Sequence, residues 1–324
     1  MLNRNAEALF WVGRYMERAE NHARLIDVHY HQQEELGDLL AAGGADVTAK
    51  WVRIVDALGS RTVFEQRYES YKENDVAYYV TLDPDNENSL LSCVNHARSN
   101  LRTLREKLPA ELWDVMNAFY LWLRDKRPEE LLRDSPHRFF LQVKEWAALF
   151  LGSAQSVMPR ENEWHFMECG RYLERAENTL RILQSNVSVV AEDGQANSYM
   201  YLQAVLKSVG AYHAFRRYYA DSVTIESIAE FLVLHGLFPR SVQFALNQLG
   251  EHLKGIELLE ASLKPAHNKV IRQAAKLLAE LSCMEREELL LDREGNIIAH
   301  LLRSCEELGI AVANTFFRIG EVSA

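Results

Sequence analysis

A nine-residue motif that occurs twice is the feature that most constrains this chain. Gly-Arg-Tyr-Met-Glu-Arg-Ala-Glu-Asn occupies residues 13–21, and Gly-Arg-Tyr-Leu-Glu-Arg-Ala-Glu-Asn occupies residues 170–178, 157 positions later. Eight of the nine residues are identical, whereas most other positions differ between the two halves. A period this long differs from that of a solenoid or propeller repeat. The motif therefore predicts two copies of one multi-helix unit, with a physical constraint that keeps the motif residues in place.

Weaker matches extend the predicted duplication along the chain, at offsets between about 151 and 158 residues. They pair Phe64 with Phe215, Tyr68 with Tyr219, Ser89 with Ser241, Asn95 with Asn247, Pro109 with Pro265 and Leu151 with Leu308. We therefore predict a first helical repeat over residues 1–157 and a second over residues 158–324. The two halves are expected to be pseudo-symmetric, related by a twofold axis, and to share one core.

The spacing of apolar residues predicts an all-α protein. Val12, Met16, Ala19, Ala23 and Ile26 recur at helical intervals and form one stripe. No convincing period-2 run bounded by turn residues occurs, so we expect an internally duplicated helical bundle without a parallel sheet. We predict long helices near residues 5–36, 88–107, 137–157, 161–192, 197–219, 240–263, 266–282 and 296–319, and shorter ones near 49–59, 62–72, 74–82, 110–124, 225–234 and 284–291.

Composition and charge exclude several classes of function. The formal charge of −10 and the lack of basic runs argue against nucleic acid and anionic membranes as partners. The sequence contains neither Gly-x-Gly-x-x-Gly nor a Gly-Lys-Ser/Thr phosphate loop, so we expect no nucleotide cofactor held by those means. The opening residues lack a signal peptide, and no stretch is apolar enough to cross a membrane. With four scattered cysteines and no Cys-x-x-Cys pair, we expect a cytoplasmic protein with reduced thiols.

The motif places a polar stripe on one face of a helix. Arg14, Glu17, Asn21 and Arg24 fall at i, i+3, i+7 and i+10, and the second copy repeats the pattern with Arg171, Glu174, Asn178 and Arg181. Glu20 and Glu177 border the stripe, and Arg18 and Arg175 lie on its far flank. Gly13 and Gly170 make a helix less favourable by up to about 1 kcal/mol relative to alanine. Their presence predicts a close approach by another helix or by a ligand.

Two interpretations of this stripe remain open. In the structural one, Arg14, Arg18, Arg171 and Arg175 pair with the carboxylates of Glu17 and Glu174 in a buried network. In the functional one, a cleft between the two motif helices binds a carboxylate- or amide-bearing ligand through arginine, glutamate and asparagine side chains. The substrate-binding candidates are Arg14, Arg18, Glu20, Asn21, Arg24, Arg171, Arg175, Glu177, Asn178 and Arg181, and the catalytic candidates are Glu17 and Glu174.

Metal chemistry finds no support in the spacing of residues. Helical di-iron proteins need Glu-x-x-His on two helices, and that pattern is absent here. We therefore predict neither a metal site nor a cofactor. One asymmetry distinguishes the two motif copies: Ala8 and Trp11 precede the first, whereas His165 and Glu168 occupy the same places before the second. Because His165 and Glu168 are three residues apart, their spacing is compatible with a shared cleft in an asymmetric catalytic site; the more common alternative is that His165 is a satisfied surface or interface histidine.

Residues 1–21, residues 170–178 and the segment Phe-Pro-Arg-Ser-Val at 238–242 resemble the bacterial Alpha-E family. The resemblance covers essentially the whole chain and implies an all-helical fold. It departs at Asn86-Glu87-Asn88-Ser89, which replaces a proline-containing turn. Alpha-E proteins are associated with a circularly permuted ATP-grasp ligase and a transglutaminase-like peptidase, which implies a role in amide-bond formation or peptide modification.

The resemblance implies an accessory or partner subunit that docks the ligase and helps to hold a substrate. Two alternatives remain open. One is an enzyme in its own right that acts on the ligase product, with a motif glutamate as general base; the other is a purely structural protein.

Overall fold

Helical spacing of apolar residues is realised throughout the part of the chain that the structure describes. The structure is a computed structural model that describes residues 3–40, 47–129, 136–192, 199–219, 223–258, 260–291 and 295–317. Within these ranges the chain forms fifteen α-helices and a short 3-10 helix, with no β-strand. The predicted all-α class is confirmed.

The described helices follow one another along both halves of the chain. The first half contains α1 (Asn3–Leu40), α2 (Val47–Ala57), α3 (Arg61–Arg67), α4 (Glu73–Thr81), α5 (Leu90–Arg102), α6 (Ala110–Arg124) and α7 (Pro136–Val157). The second half contains α8 (Asn162–Glu192), α9 (Tyr199–Ser208), α10 (Tyr212–Tyr218), α11 (Ile225–Leu234), α12 (Val242–Gly255), the 3-10 helix (Ala261–Leu263), α13 (Lys264–Cys283), α14 (Arg286–Leu291) and α15 (Asn296–Phe316).

The two motif helices, α1 and α8, pack directly against each other at their glycines. A Cβ atom on Gly13 would lie 1.9 Å from the carbonyl oxygen of Met167, and one on Gly170 would lie 1.9 Å from that of Phe10. Contacts follow the same order along both helices, so α1 and α8 run parallel. The close approach that the glycines predict is therefore made by a helix backbone.

Two further helices begin beside this central pair with the same cap. Ser89 precedes α5 and accepts a hydrogen bond from the backbone N–H of Ser92, while Ser241 precedes α12 and accepts one from Phe244, both at 3.1 Å. Such serine caps satisfy a backbone donor that the helix leaves free. α5 packs on α1, and α12 packs on α8. The residue before each cap is thereby brought to the motif helices.

The helices predicted over 88–107 and 62–72 end earlier, at Arg102 and Arg67, and two further predicted helices are interrupted or cut short at glycines. The helix expected over 197–219 is divided into α9 and α10, because Gly210 adopts a positive φ of 65° that interrupts the helical hydrogen bonds. The helix expected over 240–263 ends at Gly255, where Ile256 is extended with ψ of 118°. Both differences lie at glycines, at which the backbone leaves the helical conformation most readily.

One continuous hydrophobic cluster runs through the described residues of both halves, from Ala6 to Phe316. This agrees with the shared core expected from the sequence. None of the described helices has the length and apolar character needed to span a membrane. The internal duplication and the division after residue 157 stay predictions.

Candidate functional site

Glu17 lies at the centre of the contact between α1 and α8 with no exposed surface. Arg175 donates to both of its carboxylate oxygens, from Nε at 2.8 Å and from Nη2 at 2.7 Å. Arg240 donates from Nη1 at 3.2 Å, and Asn21, one turn further along α1, donates its amide at 3.2 Å. The carboxylate of Glu17 is thus fully occupied by donors of the protein.

Glu174 occupies the corresponding place on α8 and is equally buried. Arg18 donates to it from Nε at 2.6 Å and from Nη2 at 3.0 Å, and Arg14 donates from Nε at 2.7 Å. The amide of Asn178 completes the set at 3.5 Å. Each motif therefore supplies the glutamate that the arginine of the other motif binds.

Two more glutamates extend the network towards its edge. Glu20 accepts from Arg24 at 2.9 and 2.7 Å and from Arg240 at 2.6 Å. Glu177 accepts from Arg14 at 2.5 Å and from Arg181 at 3.0 Å. The side chains of Arg24 and Arg181 are 30% and 24% exposed, whereas those of Arg14, Arg18 and Arg175 are at most 17% exposed. Arg24 and Arg181 are therefore the part of the network that solvent reaches.

These contacts keep the central carboxylates ionised. Burial raises the pKa of Glu17, but the charges of Arg175 and Arg240 outweigh it and lower that pKa to about 2. Burial likewise raises the pKa of Glu174, and the charges of Arg18 and Arg14 bring it far below the ordinary value. A carboxylate with so low a pKa is a weak base, so neither glutamate is suited to take a proton at neutral pH.

The two sides of the network differ at one pair of positions. Arg240 stands immediately before the cap of α12 and reaches Glu17 and Glu20. Asn88 stands immediately before the cap of α5 and instead accepts a hydrogen bond from Nη1 of Arg18 at 2.6 Å. On that side, Arg14 supplies the second guanidinium to the buried glutamate. Neither Asn88 nor Arg240 was among the predicted site residues.

Arg171 departs from the predicted network. The structural interpretation placed it on Glu17 or Glu174, but its guanidinium pairs with Glu168 of its own helix, with Nε donating at 2.8 Å. The second guanidinium that donates to Glu17 belongs to Arg240 and not to Arg171. Glu168 has no equivalent before the first motif, where Trp11 lies under the guanidinium of Arg14 at 5.4 Å.

His165 and Glu168 both lie beside a third residue, His252, while the cleft that they were expected to share stays a prediction. His252, on α12, lies with its Nδ1 atom 3.1 Å from Nδ1 of His165, and with its Nε2 atom 3.9 Å from Glu168. Burial lowers the pKa of His252 to about 4, so this imidazole is neutral at pH 7. Sequence reasoning missed His252, because nothing in its own segment resembles the motif.

The pairing of the motif residues bears on whether the motif forms a buried network or a ligand-binding cleft. Saturated, buried carboxylates are the arrangement that the structural interpretation predicts. The direct backbone contact at Gly13 and Gly170 leaves no room for a ligand between the helices at that level. A ligand that contacts the motif would reach it at the more exposed arginines, Arg24 and Arg181, which lie in separate parts of the network.

Comparison with known proteins adds the family. Residues 1–317 match Alpha-E, described as a predicted alpha-helical domain with a conserved ER motif. The Glu-Arg pairs at 17–18 and 174–175 fit that description.

The chain is also similar to longer mycobacterial proteins. Uncharacterised proteins of Mycobacterium bovis and Mycobacterium tuberculosis are each 25% identical to it over 272 residues, which are 79% of this chain. The chain spans only 30% of the length of these relatives. No solved structure matches it significantly. Because the family match extends over nearly all of its residues and includes both Glu-Arg pairs, this chain belongs to the Alpha-E family.

Proposed function

We propose that this chain is a cytoplasmic accessory or partner subunit of an ATP-grasp-dependent system for amide ligation or peptide modification. It docks a circularly permuted ATP-grasp ligase and, in some assemblies, a transglutaminase-like peptidase. The observation that carries the proposal is the complete pairing of Glu17 and Glu174 by protein donors. Groups held in this way stabilise a rigid scaffold and are poor catalysts.

The lengths of the relatives support a partner role. The matched unit makes up 30% of the mycobacterial proteins, so there it occurs within a longer polypeptide. An Alpha-E unit that works beside other domains in one chain is equally suited to work beside a separate partner. Fusion and association are two ways of giving domains a high effective concentration.

The exposed edge of the network is the part of the motif suited to hold a substrate. Six guanidinium groups, including that of Arg240, face the four glutamates of the network, and Arg181 also lies 3.6 Å from Glu306, which leaves an excess of one positive charge. Arg24 and Arg181 are the most exposed of these six. Guanidinium groups bind carboxylates in forked geometry. We therefore assign a carboxylate-bearing substrate or partner segment to Arg24 or Arg181.

Catalysis by a motif glutamate is the less favoured alternative. A general base works best when its pKa lies near the operating pH, and the pKa of Glu17 is lowered to about 2. Its lone pairs are also engaged by Arg175, Arg240 and Asn21.

Co-purification with a circularly permuted ATP-grasp ligase from the same organism tests the proposal, followed by measurement of ATP turnover with amino-acid pools. We expect a stable complex and faster turnover when this chain is present. The double variant Arg24→Ala/Arg181→Ala should fold and bind but lose the stimulation, whereas Arg61→Ala, at an exposed pair far from the motif in sequence, should retain it. No complex together with unchanged turnover would refute the accessory role.

A further inference from the structure

A polar cluster beside the second motif has no counterpart beside the first. His165 and Glu168 lie in the first two turns of α8, and His252 lies in the last turn of α12. The motif alignment places Ala8 and Trp11 at the positions of His165 and Glu168. The network of glutamates common to both motifs does not contain these three residues. A role in holding α1 against α8 therefore does not account for them.

The two imidazoles face each other through the same kind of nitrogen. The Nδ1 atoms of His165 and His252 are 3.1 Å apart. Two imidazole ligands bound at about 2.0–2.1 Å to one tetrahedral ion have nitrogens roughly 3.3 Å apart. The observed separation is within a few tenths of an ångström of that value. In the absence of an ion the two Nδ1 atoms share a hydrogen bond, and a metal ion that displaces its proton needs the nitrogens to separate by only a few tenths of an ångström.

A buried carboxylate stands behind one of the two rings. Glu168 is 2% exposed and lies 3.9 Å from Nε2 of His252, the nitrogen that points away from His165. Arg171 holds this carboxylate through both of its oxygens. A metal-binding imidazole usually directs its second nitrogen towards a carboxylate, which fixes the ring and makes it a stronger ligand.

Packing fixes the orientation of both rings. Tyr172 stacks on His252 with a centroid separation of 5.7 Å and an interplanar angle of 19°. Gly255 leaves room for His165, since a Cβ atom there would lie 2.3 Å from Cε1 of the imidazole. The two side chains are thus held in place before any ligand arrives, as a preformed site requires.

We propose that His165 and His252 bind a divalent transition-metal ion of the zinc class through their Nδ1 atoms, with Glu168 as the carboxylate behind His252. Imidazole nitrogens suit zinc, copper and nickel. Among the residues that the structure describes, no three histidine, cysteine, aspartate or glutamate side chains are placed to hold one metal ion directly. The protein therefore supplies two ligands and leaves the remaining coordination positions to water or to an anionic group of another molecule. This site contains neither Arg24 nor Arg181.

Isothermal titration with zinc chloride at pH 7.5 tests this site, with the absorption spectrum of bound cobalt as a second readout. All variants carry Cys283→Ser, because Cys283 is an exposed thiol and a competing ligand. We compare that background with His165→Ala, His252→Ala and Glu168→Gln. His213→Ala is the control, since it removes an exposed histidine at another place on the chain.

We expect one equivalent of zinc in the background protein and at least a hundredfold weaker binding in each of the two histidine variants. Glu168→Gln should weaken binding by about 10–100-fold, and His213→Ala should leave it unchanged. Thermal melts verify that each variant folds. If His252→Ala does not fold, zinc binding by His165→Ala tests the proposal, because His165 is only half-buried. Absence of one-equivalent binding, or binding that survives His165→Ala in a folded protein, would overturn the proposal.

Discussion

Replacing Glu17 with glutamine removes one charge from the centre of the network and hardly changes the volume of the side chain. Glu17 accepts two hydrogen bonds from Arg175 and one each from Arg240 and Asn21. Arg240 keeps Glu20 at 2.6 Å. Apart from the neutral amide oxygen of the new glutamine, Arg175 keeps a 3.4 Å hydrogen bond to the carbonyl oxygen of Pro239 and a 5.6 Å contact with the ring of Tyr172, neither of which carries a negative charge. The loss is therefore concentrated on one buried guanidinium.

The size of the effect follows from that uncompensated charge. Removing one partner of a buried ion pair lowers the free energy of unfolding by about 3–5 kcal/mol. We expect Glu17→Gln to fall in this range at pH 7. The double variant Glu17→Gln/Arg175→Met should be less destabilised than the sum of the two single variants, because it leaves no guanidinium at residue 175 to be compensated.

Urea unfolding followed by far-ultraviolet circular dichroism measures these differences. The matched control is Glu65→Gln, which also breaks a glutamate–arginine pair. Arg61 donates to Glu65 at 3.0 Å, but the two side chains are 53% and 48% exposed. Exposed pairs of this kind contribute less than about 1 kcal/mol. A loss below about 1 kcal/mol for Glu17→Gln, or equal losses for the two variants, would refute the reasoning.

Three further predictions concern packing, acid stability and thiol reactivity. Gly13→Ala should lower the melting temperature, because its Cβ would lie 1.9 Å from a carbonyl oxygen of α8. Gly152→Ala is the control: a Cβ there has no neighbour within 4 Å, so this variant should gain about 1 kcal/mol of helix stability. The pKa of Glu17 is about 2 against an ordinary 4.5, so its ionised carboxylate stabilises the fold fully above pH 4.5, and this contribution is lost as the pH falls towards 2. In an acid titration, the free energy of unfolding of Glu17→Gln should therefore decline less steeply over this pH range than that of the unchanged protein. A thiol reagent should modify one cysteine, the exposed Cys283, in the folded protein and all four after denaturation, because burial raises the pKa of the other three thiols.

The sequence was most informative where helical spacing and the repeated motif acted together. Glu17 and Arg18 are adjacent in the chain, as are Glu174 and Arg175, and their recurrence indicated that the glutamates needed arginine partners. Spacing within one helix could not show that each glutamate would be bound by the arginine of the other copy. That outcome depends on the parallel packing of α1 against α8, which the glycines indicated only as a close approach.

The residues that sequence reasoning missed come from other helices. Arg240 is separated from Glu17 by 223 positions and reaches it because the cap at Ser241 starts α12 beside α8. The signal was present in the matching serine caps at 89 and 241, but their preceding residues differ, Asn88 against Arg240. His252 gave no comparable signal, since only the packing of α12 on α8 brings it to His165.

The exchange of partners between the two motifs has a consequence for how the chain matures during synthesis. Arg18 and Glu174 are 156 residues apart, and Arg240 follows Glu17 by 223 residues. At a translation rate of about 5–20 residues per second, Glu174 leaves the ribosome roughly 8–30 seconds after Arg18, and Arg240 follows Glu17 by roughly 11–45 seconds. During that interval the charged face of the nascent α1 has none of these long-range partners and stays hydrated. The packing of α1 on α5 and α7 can form first, whereas docking of its charged face is delayed until α8 and the start of α12 have emerged.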